Sequence, residues 1–582
     1  MSLAGQWAER RTVARHAAIL VGYVALGILV TWPRATYLAG RLPNTRDQGS
    51  YTWDVWWMAR QLIHLADPFT TRQIIAPVGA PLAYHALMPL VGLITMPVTM
   101  TAGPAFSVNL ASVLVPGLLC YAMYRAARLW LPPAGAFASG VFFGLSSMLT
   151  WRAWFHLNVA AGALFLPITL EAAVRLRRDP GKGRTIRLGL VLGLCLLVDS
   201  ESAILAGILA TAVLLPWLAR RPVRGTLGLL ALAAVAGLLT ASPQIIAMVR
   251  QSGALAANPA TLASNYANYG VALPQMFAPS PRVAAFGLGG LGRIFYHGIT
   301  TEGMPTFGVT LTAFALLGAV LGRRSRHARI WLATWLGAAV LALGPVLYLG
   351  TRPFTPLTIH DHGRTLSALM PYTWFVRLPG LSSFREANRF TPLALIPAAL
   401  LAGSAVGWVR SRFAPALLLV AVLAALELGW SAEGPTGSMP TGLPAADRAI
   451  AADHSRSLVV DVPLGFRSGT LELGPGFPAE ELVQATLDGH PRAIGYVARL
   501  PQQTMAALRR HPFYVNVMRV QAGRHVPTAD LPAAAADARR MNVRWVLVWK
   551  HLTPAAGHFL AATGFGFRYG ADGITVYRAL VR

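Results

Sequence analysis

Stretches of about 20 apolar residues, the length that crosses a hydrocarbon core, recur along the first 430 positions of this 582-residue chain. The first covers residues 17–32, behind Arg10, Arg11 and Arg15, and ends in Trp32, Pro33 and Tyr37 at interface depth. It lacks a small-residue cleavage site, so a retained helix with a cytoplasmic N-terminus is expected. Further apolar stretches fall at 84–102, 106–124, 135–150, 157–174, 186–199, 203–219, 226–247, 306–322, 329–349, 389–408 and 414–430. Basic loops at 175–187, 220–224, 323–329 and 410–412 adjoin helix ends and are expected on the cytoplasmic side. Three apolar segments lie between the first outer loop and the outward turn at 151–158, where only an even number of crossings fits. Residues 84–102, interrupted by Pro89 and Pro97, are therefore read as a broken or re-entrant element. The expectation is a multi-pass α-helical membrane protein of about 11 to 12 transmembrane helices with its C-terminus outside.

From about Ser431 charged residues return and apolar runs shorten to strand length. A membrane module over 1–430, with a first outer loop at 33–83, is thus followed by a soluble extracytoplasmic α/β domain over 431–582. Residues 458–462, 545–549 and 574–578 read as buried strands, and 503–518 and 530–541 carry helical spacing. Asp572-Gly573 marks a turn before the last strand.

Composition agrees with residence in a bilayer: 54% of residues are apolar and 13% charged. A formal charge of +27 would suggest nucleic acid in a soluble protein. Here the arginines flank apolar stretches without an exposed aromatic platform, so nucleic acid is not an expected partner and the inner (plasma) membrane is the expected location. Lys182 and Lys550 are the only lysines, and for most of the arginines GC-rich codon usage is a better explanation than phosphate binding. Cys120 and Cys195 lie inside apolar segments and offer neither a disulfide framework nor a Cys-based zinc site.

Once the helices are threaded, Asp47, Asp54, Asp67, Asp199, Glu201, Glu302, Asp361 and Glu386 fall on one face, while Glu171 and Asp179 do not. Gathering carboxylates on one side of a membrane points to chemistry there. In the first outer loop three tryptophans and a tyrosine occupy the seven residues from Tyr51 to Trp57. Val55, Met58, Leu62 and Leu65 recur at helical spacing, which predicts a helix over 51–66 lying in the membrane surface, with Asp54 at the edge of its apolar stripe and Asp47 just before it. A helix cap or a solvated pair with Arg46 is the structural alternative for either acid.

An acid soon after the first span, a long first outer loop with a surface helix, the stretch Ala76-Pro77-Val78-Gly79-Ala80-Pro81-Leu82-Ala83-Tyr84-His85 and many later spans before an outer domain together resemble the GT-C class of integral-membrane glycosyltransferases. The resemblance implies transfer of a hexosyl or pentosyl group from a polyprenyl-phosphate-linked sugar to an extracytoplasmic glycan, lipid or protein acceptor, by inverting or retaining displacement. It makes Asp47 the general base, with Asp54 as substitute. Gln48 stands where protein mannosyltransferases have the acid of an Asp-Glu pair, and the second outer loop, 150–158, holds Arg152 and His156 but no acid. A metal bridged between two loops therefore lacks a ligand; no cofactor is assigned and a divalent cation is the one candidate. The aromatic-acid signature of oligosaccharyltransferases is absent from the C-terminal domain, so N-glycosylation is not assigned.

Transfer from a lipid phosphate requires a base for the acceptor hydroxyl and a cation aimed at the departing phosphate. Arg385 and Arg389, four apart with Glu386 beside them, are the cation candidates, followed by His85 and His156. Lipid headgroup contact or an ion pair with Glu386 is the bland alternative. Asp199-Ser200-Glu201 joins two apolar segments without room for a loop, which suits contacts to sugar hydroxyls or a cation, or a simple helix cap. His360-Asp361-His362 reads as a solvated loop, and residues 258–269 as a polar-aromatic loop of sugar-contacting type. A transporter or flippase of a lipid-linked substrate and a non-catalytic membrane scaffold are the competing functions.

Overall fold

The computed structural model describes residues 3–220, 223–255, 269–278, 305–350, 352–361, 363–382, 384, 386–412, 415–416, 419–420, 423, 437–469 and 472–580. Arg385, His362, Glu302, residues 258–268 of the polar-aromatic loop and most of the expected span at 414–430 lie outside them. The chain divides into two compact units, 1–36 with 110–242 and 259–435, and 37–109 with 243–258 and 436–582.

The first unit is helical. With the second unit's residues included, five described helices are long and apolar enough to cross a membrane: Thr12–Val30, Pro104–Ala127, Leu157–Arg178, Ser200–Leu218 and Ala387–Val409. Two bent pairs raise the number to seven at most, one of them Pro133–Gly144 with Ser147–Phe155 at 50°. Among the described residues, which leave out most of 414–430, the expected 11 to 12 spans are not all found. Several apolar stretches are interrupted or short: Val309–Leu321 has 13 residues, about 20 Å at 1.5 Å per residue against a core of about 30 Å. The expected outward turn at 150–158 is instead helical and buried, split between Ser147–Phe155 and Leu157–Ala163. Helices here pack closely through glycine: a Cβ on Gly193 would lie 2.6 Å from the Gly237 carbonyl oxygen, so the Lys182–Leu196 and Val223–Thr240 helices meet backbone to backbone. The stretch around His360 forms a hairpin, Thr358–Asp361 with Arg364–Ser367, and Asp361 pairs with Arg377 at 3.4 Å.

The second unit is α/β and draws on three separated chain segments. Its four-stranded sheet runs Phe565–Ala571, Ile574–Ala579, Val543–Trp549, Leu458–Val462, with the last pair parallel. All three expected strands are present. The helix expected at 503–518 is two, Gln502–Leu508 and Pro512–Gln521, because Pro512 has no N–H to continue the first and instead starts the second. Composition placed a boundary near 431, yet the first outer loop belongs to the same compact unit as residues 436–582. Arg41–Pro43 pairs antiparallel with Ser438–Pro440. Arg492 N–H donates to the Gln73 carbonyl at 2.8 Å, Ile75 N–H to Ile494 at 2.9 Å, and Tyr514 Oη to the Ala76 carbonyl at 2.7 Å.

The expected helix at 51–66 begins earlier, as Arg46–Ile63, because Thr45 caps it by accepting the Gln48 N–H at 3.2 Å. It does not present one apolar face. Residues 48–55 and 57–59 are all buried, since Pro89–Ala102 packs on one side and Glu480–Asp488 on another. Gly92 permits the first contact: a Cβ there would lie 2.6 Å from the Met58 Cβ. Leu65, expected in the apolar stripe, lies beyond the helix end and is 94% exposed.

Candidate functional site

Within the second unit, the Arg46–Ile63 helix places Asp47 on its first turn, half-buried, and Ser50 and Asp54 one turn apart on a common face. His85 arrives opposite them on the stretch that follows Ala76. Ala83 N–H donates to Gln251 Oε1 at 2.9 Å, and Tyr84 Oη donates to the Met248 carbonyl at 2.8 Å. His85 Nε2 lies 3.1 Å from Asp54 Oδ1 and 3.3 Å from Ser50 Oγ. Its Nδ1 accepts the Ala498 backbone N–H at 3.1 Å. A nitrogen that accepts carries no proton, so the neutral imidazole bears its hydrogen on Nε2 and donates it to the Asp54 carboxylate. The arrangement is dry: the His85 side chain is 2% exposed and that of Asp54 0%. Burial pushes the Asp54 carboxyl above its ordinary range, His85 and Ser50 pull it back, and Asp47 adds a smaller upward push. Asp54 therefore sits where it can orient His85, whereas Asp47 keeps part of its surface open. Asp67 is spent on its own turn, accepting from Phe69 N–H at 2.9 Å and Thr70 Oγ1 at 3.1 Å.

The first unit gathers the other expected residues. Arg389 Nε lies 2.8 Å from Glu386 Oε2 and 3.3 Å from Glu201 Oε2, and its terminal nitrogen 4.0 Å from Asp199 Oδ1. Arg152, which is wholly buried, reaches Glu386 at 3.8 Å and contacts the His156 ring. Asp199 is the N-cap of Ser200–Leu218, accepting from Ser202 N–H at 2.8 Å and from Asn158 Nδ2 at 3.1 Å. The cap and the possible ligand are thus the same carboxylate. Of the candidates in this unit, Asp199, Glu201, Glu386, Arg389 and His156 do come together, and Arg385 is not described. Three carboxylates surround two guanidiniums, so Arg389 is already charge-compensated. A phosphate would have to take over contacts that Glu386 and Glu201 now make.

Sequence reasoning missed Arg152 as the second cation, Asn158, and the Ala498 backbone donor. It also missed a buried cage in the second unit, where Arg492 donates to Asp447 Oδ1 and Asp461 Oδ1 at 2.6 Å each, to Asp488, and to Gln484 at 3.4 Å. Arg152 was visible as a lone basic residue within an apolar run, the one signal of this kind. The others depend on contacts between distant segments. Among the described residues, no group of three or more His, Cys, Asp or Glu side chains is arranged to hold a metal ion.

No protein-family model matches the chain, and no curated protein does. Solved structures do match it in fold. The cryo-EM structure of the arabinofuranosyltransferase AftD from Mycobacteria superposes with a TM-score of 0.60 at 14% identity, over 98% of this chain and 40% of AftD. Class 1 of its R1389S mutant gives 0.56 at 16% identity, over 97% of this chain and 41% of that one. ArnT from Cupriavidus metallidurans, bound to undecaprenyl phosphate, gives 0.44 at 14% identity, over 97% of both chains. The chain thus shares its fold with the arabinofuranosyltransferase AftD. The chain spans about two fifths of the length of AftD.

Proposed function

We propose that this protein is a membrane glycosyltransferase that moves a sugar from a polyprenyl-phosphate donor to a hydroxyl acceptor. One observation carries the reading: Asp47 is a partly exposed carboxylate on a helix turn whose neighbours are locked into a core, directly before a dry Ser50–Asp54–His85 triad. Rigid placement of this kind is what a positioned base requires. The AftD-like fold is consistent with it.

In the reaction, Asp47 takes the proton of the acceptor hydroxyl as its oxygen bonds to the anomeric carbon. The bond from that carbon to the phosphate oxygen breaks, and the electron pair leaves with the polyprenyl phosphate. Asp54 and His85 hold the helix and the Gln73–His85 stretch in register and remain outside the proton transfer. In the first unit, taken by itself, Asp199, Glu201 and Glu386 are acceptors of the kind sugar hydroxyls use, and Arg389, with Arg152 behind Glu386, is a cation of the kind a phosphate uses.

The test is incubation of the purified protein with a panel of polyprenyl-phosphate sugars, pentosyl and hexosyl, following release of the lipid phosphate. Asp47→Asn should fold and express like wild type while losing transfer by roughly 100-fold or more. Unchanged transfer by Asp47→Asn would remove Asp47 from the role, and no release from any donor would remove the function.

A further inference from the structure

A concave basic site in the first unit takes no part in the proposed transfer. His16, Tyr121, Arg125, Arg128 and Arg175 line a cavity of about 390 Å³ where Thr12–Val30, Pro104–Ala127 and Leu157–Arg178 approach one another. It lies near the Lys182 end of the Lys182–Leu196 helix. Asp199 follows that helix's other end, about 22 Å away at 1.5 Å per residue. The cavity therefore sits at the opposite end of this helix from the Arg389 cluster.

Its charge is unbalanced. Arg125, Arg175 and Arg187 converge on a single oxygen, Glu171 Oε1, at 2.8, 2.9 and 3.8 Å. Glu171 is 3% exposed, whereas the three guanidiniums are 39 to 46% exposed. One buried carboxylate thus anchors three arginines, of which Arg125 and Arg175 line the cavity. Arg128 adds a third lining guanidinium, tied to the Leu131 carbonyl at 2.5 Å. Tyr121 Oη and His16 Nδ1, 3.1 Å apart, add uncharged polar groups. Three lining guanidiniums against one buried anion in a concave, donor-rich site match the oxygens of a phosphate group. One wall is the Thr12–Val30 helix, only 17% of which is buried, so the cavity opens beside a surface that lipid tails would cover.

We infer that this cavity binds the phosphate of an anionic lipid headgroup, clamped by Arg125, Arg128 and Arg175. The same donors would accept a soluble phosphate, and the experiment separates the two sources. The full chain is purified and reconstituted in phosphatidylcholine nanodiscs with or without phosphatidylglycerol; melting temperature and lipids retained in native mass spectrometry are measured. A third arm adds inorganic phosphate to the protein in detergent. Arg128→Gln is the informative variant because, among the described residues, the Arg128 side chain is tied to a backbone carbonyl and to no carboxylate. Arg184→Gln, which breaks the exposed pair with Asp179 outside the cavity, is the control.

Wild type should retain phosphatidylglycerol in preference to phosphatidylcholine, and Arg128→Gln should lower that retention roughly tenfold, the weight of one charged hydrogen bond. The control should match wild type. Stabilisation by inorganic phosphate alone, abolished in Arg128→Gln, would assign the site to a soluble phosphate. The inference fails if neither ligand binds, or if Arg128→Gln and Arg184→Gln behave alike. None of these readouts depends on sugar transfer.

Discussion

Replacing Arg492 with methionine tests the energetics of the second unit. The guanidinium is wholly buried and bridges Asp447, Asp461 and Asp488, whose side chains are 0 to 2% exposed. Deleting the only cation leaves three carboxylates in a dry site, a change that costs about 3–5 kcal/mol where one partner of a buried pair is removed. For a unit of about 200 residues, at roughly 2–4 °C per kcal/mol, melting should fall by roughly 6–20 °C. The pH dependence gives a second handle. Burial raises the Asp461 carboxyl to about 6 despite Arg492, and Asp447 is raised as well. A carboxyl raised in the folded state contributes stability that is complete below its unfolded pKa and is lost as pH rises through the folded value. For Asp461 that window runs from about 4 to about 6. Without Arg492 the acids hold their protons to higher pH, so the deficit of the variant should be largest near about pH 7.5 and shrink near about pH 5. Tryptophan-fluorescence melting of both proteins at the two pH values measures it; Trp545 and Trp549 lie in the adjoining strand. A loss under about 2 °C at the higher pH, or one that does not shrink at the lower, would refute the account.

Glu481 accepts from Trp549 Nε1 at 3.1 Å, and burial drives its carboxyl well above the usual range, so Glu481→Gln should keep the bond and raise the neutral-pH melting temperature; a fall would show that the carboxyl is ionised there. His85→Ala strands a buried Asp54 and should destabilise by about 1–3 kcal/mol, which Asp54→Asn in the same chain should partly restore in a denaturant titration. Arg389→Gln should lower both stability and transfer, whereas Glu201→Gln, leaving Arg389 to Glu386 at 2.8 Å, should affect transfer more than melting.

What could be read from the chain was what depends on neighbours in sequence. The strands at Leu458–Val462 and Val543–Trp549 are short β-branched and apolar runs interrupted by Asp461 and Arg544, and their type was legible from that composition. The helix carrying Asp47 was legible from its periodicity, although its burial was not, because Gly92 and the Glu480–Asp488 helix that cover it come from elsewhere. His85 was recognisable as a polar residue in a distinctive loop. Its tautomer depends on Ala498, 413 residues away, and no local pattern encodes that. Asp199, Glu201, Glu386, Arg389 and His156 were each named from the sequence, whereas Arg152 as a cation and Asn158 were not. The ion pair of Arg389 with Glu386 was the stated alternative to phosphate binding, while the additional approach of Glu201 and Asp199 depends on distant segments.

The pairing of Arg41–Pro43 with Ser438–Pro440 sets a schedule for biogenesis. At about 5–20 residues per second, a ribosome takes roughly 20–80 s to travel from one partner to the other. Throughout that interval the early strand and the Gln73–His85 stretch have no sheet to join, and the helices between them must be inserted first. Cells producing this protein thus need something to shelter an unpaired early loop, and nascent chains halted before position 438 should be unusually open to proteases there.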